Sequence, residues 1–186
     1  MNERNIKLVE AAQNVFSRYG YGKSTMNDIA REAGVARATL YNAYASKEDM
    51  LRAAVRHHAD TTRIDVMQAW EQLDTFDVKL DVFFDLVPLK WYDMAQTMPD
   101  SAELIEGMHA IAHEEIFAIA SDWTTRFETL VLDHAKPGSP AHDNAKALGD
   151  FIYSAGMNAK IGVADRAELQ SRLVMLKLSV RAMLEP

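Results

Sequence analysis

Two short helix signatures and a glycine stop are packed between Thr25 and Tyr44, and few folds accommodate that spacing. Thr25, followed three residues later by Asp28, is a capping-box variant that opens a helix with the apolar face Met26, Ile29, Ala30 and Ala33, and Gly34 ends it. A second short helix is expected from about Ala36 to Tyr44. A pair of this size has the dimensions of a helix-turn-helix, although a small helical bundle also uses amphipathic helices with Gly turns. The first helix needs a small residue where the second crosses it, the turn needs a residue at ease with positive φ, and the second helix needs an apolar residue aimed back at the core. Ala30, Gly34 and Leu40 stand at those places.

The flanks continue the pattern. Leu8, Ala12, Val15, Phe16 and Tyr19 form one apolar stripe at helical spacing that stops at Gly20 and Gly22. Ser46 with Asp49 forms another cap-like pair, which launches a long helix through Met50, Leu51, Ala54, Val55 and His58. Beyond it the chain has few breakers, with eight Gly and five Pro in 186 residues, and no stretch alternates apolar and polar residues long enough to read as a strand. The fold expected is all-α. Further helices are expected over about 75–97, kinked near Pro88, and from Asp100 with Glu103 to about His134 with one internal break. After the loop 136–140 come a helix over about 141–162 and a last one opened by Asp165 with Glu168.

The 48% hydrophobic content suffices for a real core. The absence of cysteine excludes disulfides, thiolate metal sites, iron–sulfur clusters and a Cys nucleophile. No window approaches the roughly 18 apolar residues of a membrane span, and the charged start lacks the apolar stretch of a signal peptide, so a cytoplasmic location is expected. The net charge of −7 is unevenly spread. Residues 1–58 hold nine Lys and Arg against six Asp and Glu, a surplus of three positive charges; the remainder holds eleven against twenty-one, a surplus of ten negative ones. A mildly basic head precedes an acidic body.

The head is similar to that of the TetR family of transcriptional regulators, on Ala11-Ala12, Val15-Phe16, Gly20, Thr25, Asp28-Ile29-Ala30, Ala33-Gly34-Val35, Thr39-Leu40-Tyr41, Tyr44 and Ser46-Lys47-Glu48. The likeness covers the head; the body matches in length and helical character. The resemblance implies a homodimer that binds a near-palindromic double-stranded DNA operator and lets go when a small molecule occupies the body. It implies a helix-turn-helix DNA-binding domain over 1–47 and a helical ligand-binding and dimerisation domain over 48–186. Three positions depart from the family's commonest pattern. Ala36 stands where Ser or Thr usually caps the recognition helix, Ala38 where Gly is frequent, and Asn42 where His or another larger residue is common.

Residue chemistry points the same way. Thr25 and Ser46 stand at helix starts that favour a phosphate, and Lys47 adds a charge beside the second. Arg37, Ala38, Thr39, Tyr41, Asn42 and Tyr44 lie on or just past the second helix. There Arg reaches guanine or phosphate, Asn pairs both edges of adenine, and Thr or Tyr touches a thymine methyl or phosphate. Arg4 and Lys23 could add phosphate contacts from the flanks.

In the last helix Leu169, Leu173, Leu176, Val180 and Met183 step by four and three, as do Leu148, Ile152, Ala155, Ala159 and Gly162 in the helix before it. Phe151, Tyr153, Met157, Val174, Met175 and Leu178 fall off those seams, so more than one face must be buried; a four-helix interface between two subunits uses both, whereas a purely intramolecular core uses one. Between head and interface, Phe83, Phe84, Trp91, Tyr92, Met94, Met108, Phe117, Trp123 and Phe127 suit either an adaptable apolar pocket or an ordinary core. The nearby carboxylates Asp81, Asp85, Asp93, Asp100, Glu103 and Glu106 lean toward an apolar effector that is neutral or cationic.

Glu106, His109 and His113 share a helical face, but Glu-x-x-His is half of a di-iron ligand set and no second copy occurs. A single metal-sensing site stays open as an alternative, as do solvated or core histidines; no metal and no cofactor is expected. No phosphate loop, nucleophile elbow or zinc-protease helix appears, and no enzyme is expected. The competing reading is a helical ligand- or metal-binding sensor whose DNA-binding head is weak or vestigial.

Overall fold

The computed structural model describes residues 1–98 and 101–184, the side chains of 101–104 and 106 excepted. Helices dominate it and no strand occurs among the described residues. The order is α1 Glu3–Tyr19, α2 Met26–Glu32, α3 Arg37–Ala43, α4 Lys47–Trp70, α5 Phe76–Phe84, a π-helical turn Asp85–Leu89, α6 Lys90–Thr97, α7 Ser101–Ile111, α8 His113–His134, α9 Pro140–Asp143, α10 Ala145–Asn158 and α11 Arg166–Leu184. None of these helices is long and apolar enough to cross a membrane.

The chain divides into two compact units, one of 1–61 with 95–117 and one of 62–94 with 118–186. In the first, the apolar stripe of α1 is buried through Leu8, Val9, Ala12, Val15 and Phe16, as are Ile29 and Ala30 of α2, Leu40 of α3 and Met50 of α4, all at most 4% exposed. Tyr19, expected on that stripe, points outward instead. Thr25 and Asp28 form the reciprocal capping box expected of them. At the other end of α2, Gly34 has φ +67°, its N–H donates to the Arg31 carbonyl and that of Val35 to the Ala30 carbonyl. These two bonds make a Schellman turn, and they aim the chain into α3 at a fixed angle.

The second unit closes around an aromatic core. Phe83 lies edge-on to Phe127 and Trp123, both at 4.8 Å between ring centres, and Trp70 donates its indole N–H to the Lys79 carbonyl at 2.8 Å. Pro88 cannot donate to the carbonyl four residues back, and the helix widens into a π turn around it; this is the kink the sequence announces. The break expected inside the 100–134 segment falls at Ala112, between α7 and α8. The cap expected from Asp100 with Glu103 lies outside the described residues. The helix expected over 141–162 is shorter and divided: α9 and α10 part at Asn144, and α10 stops at Asn158. Gly149, buried in α10, lets that helix approach α8 so closely that a Cβ there would lie 2.8 Å from the Glu128 nitrogen and the Thr124 oxygen.

The α11 seam turns inward. Leu169, Leu173, Leu176, Val180 and Leu184 join this core, whereas Met183, expected on the seam, is 50% exposed. Phe151, Val174, Met175 and Leu178 remain on the surface, so the off-seam face of the last two helices is an uncovered apolar one.

Candidate nucleic-acid interface

The exposed edge of α3 is the most function-bearing surface of the first unit. With Leu40 fully buried, helical geometry turns Arg37, Ala38, Tyr41 and Asn42 outward, and Thr39 is half-covered. The Arg37 guanidinium lies over the Tyr41 ring, 5.2 Å from its centre, and its Nη2 donates to the Tyr41 hydroxyl at 3.4 Å. The pair stiffens a long cation on a helix surface without neutralising it. Ala36 gives α3 no side-chain cap, as its sequence implies.

Tyr44 is placed differently from these four. It is half-buried against Val9, Ala53 and Ala54, its hydroxyl faces the Met1 sulfur at 3.7 Å, and burial pushes its phenol up from the ordinary value. Its ring seats the end of α3 on α1 and α4. Thr25 is exposed, but its hydroxyl donates to Asp28 Oδ2 at 2.6 Å and accepts from the Asp28 N–H at 3.2 Å. That bonding holds the Asp28 carboxyl below its usual range. The Ser46 hydroxyl accepts from the Asp49 N–H at 3.1 Å and caps α4.

Lys47 has a structural role that its sequence position does not reveal. Its ammonium donates to the carbonyls of Tyr21 and Ser24, at 2.9 and 3.1 Å, and lies 4.2 Å from the centre of the Tyr21 ring. It ties the start of α4 to the turn between α1 and α2. Tyr21 is also held by Phe16 and by Glu48 Oε1 at 3.4 Å; burial, then Glu48, pushes its phenol up to about 12. From the far part of the same unit, Gly107 of α7 lies against the Tyr21 ring. Arg52 donates to the last carbonyl of α7, at Ile111, at 3.0 Å, and Arg56 pairs with Glu115 at the start of α8 at 2.6 Å. Sequence reasoning missed Tyr21, Arg52 and Arg56, because their partners are distant along the chain.

The aromatic and Met residues divide between the units. Phe83, Phe84, Trp123 and Phe127 are packed together in the second unit, with Tyr92 half-buried against them and Trp91 and Met94 on the same α6. Met108 and Phe117 belong to the first unit, where Met108 is half-buried and Phe117 is 76% exposed. His109 and His113 are exposed, the Glu106 side chain lies outside the described ones, and among the described residues no group of three potential ligands gathers.

The family model for bacterial regulatory proteins of the tetR family matches residues 8–54. The chain is 31% identical over 90 residues to the transcriptional activator FasR of Mycolicibacterium smegmatis, covering 46% of this chain and 41% of that protein. It is 37% identical over 60 residues to the transcriptional repressor KstR2 of Mycobacterium tuberculosis, covering 32% of this chain and 30% of that one. The matched stretch thus spans less than half the length of the first curated relatives. Among solved structures, a TetR transcription regulator from Haloarcula marismortui superposes with TM-score 0.73 at 16% identity over 100% of both chains. FadR from Bacillus subtilis, solved in complex with stearoyl-CoA, does so with TM-score 0.63 at 17% identity over 97% of this chain and 98% of that one. At such identities the likeness is one of fold.

Proposed function

This chain is a member of the TetR family of bacterial regulatory proteins, and from that premise we propose that it is a ligand-responsive, DNA-binding transcriptional regulator acting as a repressor. Residues 1–47 read DNA; 48–186 bind an effector and dimerise. The family is one of regulators rather than enzymes, and no catalytic step is part of this reading.

The observation that carries the proposal is the outward edge of α3. Arg37, Ala38, Tyr41 and Asn42 stand free on a helix whose angle is fixed by the Gly34 turn and whose other face is anchored by Leu40. A helix presented in this way fits the major groove, where Arg and Asn offer the bidentate contacts that distinguish guanine and adenine. Thr25, Thr39, Tyr44, Ser46 and Lys47 hold the register of that helix against the backbone, either through phosphate or by supporting the elements that touch it. A vestigial head is not favoured.

A homodimer through α10 and α11 is supported by the uncovered apolar side chains Phe151, Val174, Met175 and Leu178. The effector site is formed by the aromatic group of the second unit, namely Phe83, Phe84, Trp91, Tyr92, Met94, Trp123 and Phe127. An apolar effector suits that lining. Two carboxylates that argued for a neutral or cationic one are engaged, Asp81 with Lys177 at 2.6 Å and Asp93 with Arg166 at 2.9 Å, and they no longer bear on the ligand's charge.

Effector binding would favour a dimer in which the two α3 helices are no longer about one turn of DNA, roughly 34–36 Å, apart. α4, α6 and α8 each supply residues to both units, so the chain passes between the units within three helices. The test is selection from a random double-stranded DNA library in the cytoplasmic salt range. Enrichment of a palindrome with half-sites one turn or a multiple apart is the expected result; no enrichment by a folded, ligand-free dimer would overturn the reading.

A further inference from the structure

Lys160 is a cation for which the second unit has no internal use. It follows the end of α10 and is half-buried, yet among the described residues its ammonium meets no carboxylate and no carbonyl; what it faces is the Trp91 ring, 6.0 Å away. Capping the end of α10 is done by another residue. Arg172 donates to the carbonyls of Ala159 at 3.1 Å and Ile161 at 2.7 Å. The carboxylates of the surrounding segments are engaged as well: Asp93 accepts from Arg166 Nε at 2.9 and 3.1 Å, and Glu168 pairs with Arg172 at 2.7 Å.

Seven residues before Lys160, on α10 itself, is Tyr153. Its ring packs beside Phe83, with ring centres 6.4 Å apart, and its hydroxyl has no hydrogen-bond partner among the described residues. Burial pushes this phenol up to about 12, so it stays a donor at any physiological pH. α10 and the turn after it therefore carry a hydroxyl beside Phe83 and a cation beside Trp91, each without a hydrogen-bond partner among the described residues. A carboxylate would supply the acceptor that this cation and this hydroxyl lack.

We infer that Lys160 and Tyr153 form the polar end of the effector site, and that the effector is an amphipathic acid with an apolar body against the Phe83 group and a carboxylate on Lys160. This inference rests on the proposed effector-controlled regulator. Burial also lowers the lysine to about 8, so a bound carboxylate would restore the full positive charge.

The three tryptophans, Trp70, Trp91 and Trp123, all lie in the second unit, so intrinsic fluorescence reads this site without DNA. Straight-chain and aryl-substituted alkanoic acids are titrated alongside the alcohols and trimethylammonium compounds of the same skeletons. The acids are expected to quench the wild-type protein, with Trp91→Phe removing most of the change. Lys160→Met is expected to weaken the acids roughly 10- to 100-fold, to leave the alcohols within about twofold, and to be partly rescued in Lys160→Arg; Tyr153→Phe should weaken the acids by a smaller factor. Acids that bind no better than their alcohols, an equal loss for both classes in Lys160→Met, or no binding by any acid of the series overturns the inference. Operator release is measured separately with the acids that bind: binding without release overturns the effector-controlled regulator while the Lys160 site stands.

Discussion

The Lys47 ammonium is 2.9 Å from the Tyr21 carbonyl and 4.2 Å from the centre of the same residue's ring, so one cation fixes both the backbone and the side chain of the turn between α1 and α2. A lysine so placed has two functions to lose. Lys47→Met is expected to cost about 1–2 kcal/mol in denaturant unfolding, from the two carbonyls left without a donor. It should also lower operator affinity equally across sequences. If the remaining ammonium hydrogen reaches a phosphate, the slope of log affinity against log salt falls by about 1; an unchanged slope would assign Lys47 to support alone.

Arg37 is fully on the surface, and its partner Tyr41 is exposed too. Arg37→Ala should therefore leave stability within about 0.5 kcal/mol while costing about 1–3 kcal/mol of discrimination at the base it reads. Comparing the selected sites of wild type and variant checks this. A uniform loss at every position would make Arg37 a phosphate contact.

The head was legible because its signals are local. The Thr25–Asp28 box, the Gly34 stop and the Ser46–Asp49 cap each act within a few residues, and each forms as written. What was not legible depends on partners far along the chain. Lys47 finds carbonyls 26 and 23 residues back, and Tyr44 turns toward Met1 instead of outward. The same limit explains α11. A four-three spacing tells that one face is buried but not against what, and here it is the protomer's own core that takes Leu169 to Val180, with Leu184 instead of Met183 closing the seam. Nor could composition tell Phe83, at the centre of a core, from Phe117, on the surface.

Two glycines of α10 make opposite predictions. A Cβ at Gly149 would be 2.8 Å from backbone atoms of α8, which cannot move aside singly, so Gly149→Ala should destabilise the protein by about 2–3 kcal/mol. At Gly156 the nearest atom is the Phe84 ring edge at 3.5 Å, an ordinary contact, and Gly156→Ala should be neutral or gain up to about 1 kcal/mol from helix propensity. Urea midpoints of the two variants read the contrast directly.

The uncovered face of α11 ties dimerisation to DNA binding. Met175 and Leu178 are 60% and 49% exposed, so a Met175→Glu, Leu178→Glu double variant should fold with wild-type helicity yet sediment as a monomer. Operator affinity should then fall by roughly 100-fold or more, since one head alone can hold only a half-site. A double variant that remains dimeric would move the interface elsewhere.

Lys160 also predicts the pH dependence of stability. Its folded value, about 8, is below the ordinary 10.5, because burial disfavours the charged form. Between these two values the unfolded chain holds a proton that the folded one has released, so this residue makes stability rise with pH across the window; below about 8 the folded protein carries the full penalty of a buried charge. Lys160→Met removes the penalty and should be more stable than wild type at pH 7, by on the order of 2 kcal/mol once the partial exposure of the side chain is discounted. That advantage should shrink as pH climbs from about 8 to 10.5. Tyr21 and Tyr153 titrate above this range in both proteins, so the difference between the two stability curves isolates the lysine. A constant difference across the window would mean that Lys160 keeps its proton in the folded protein and that its head is better solvated than its burial implies.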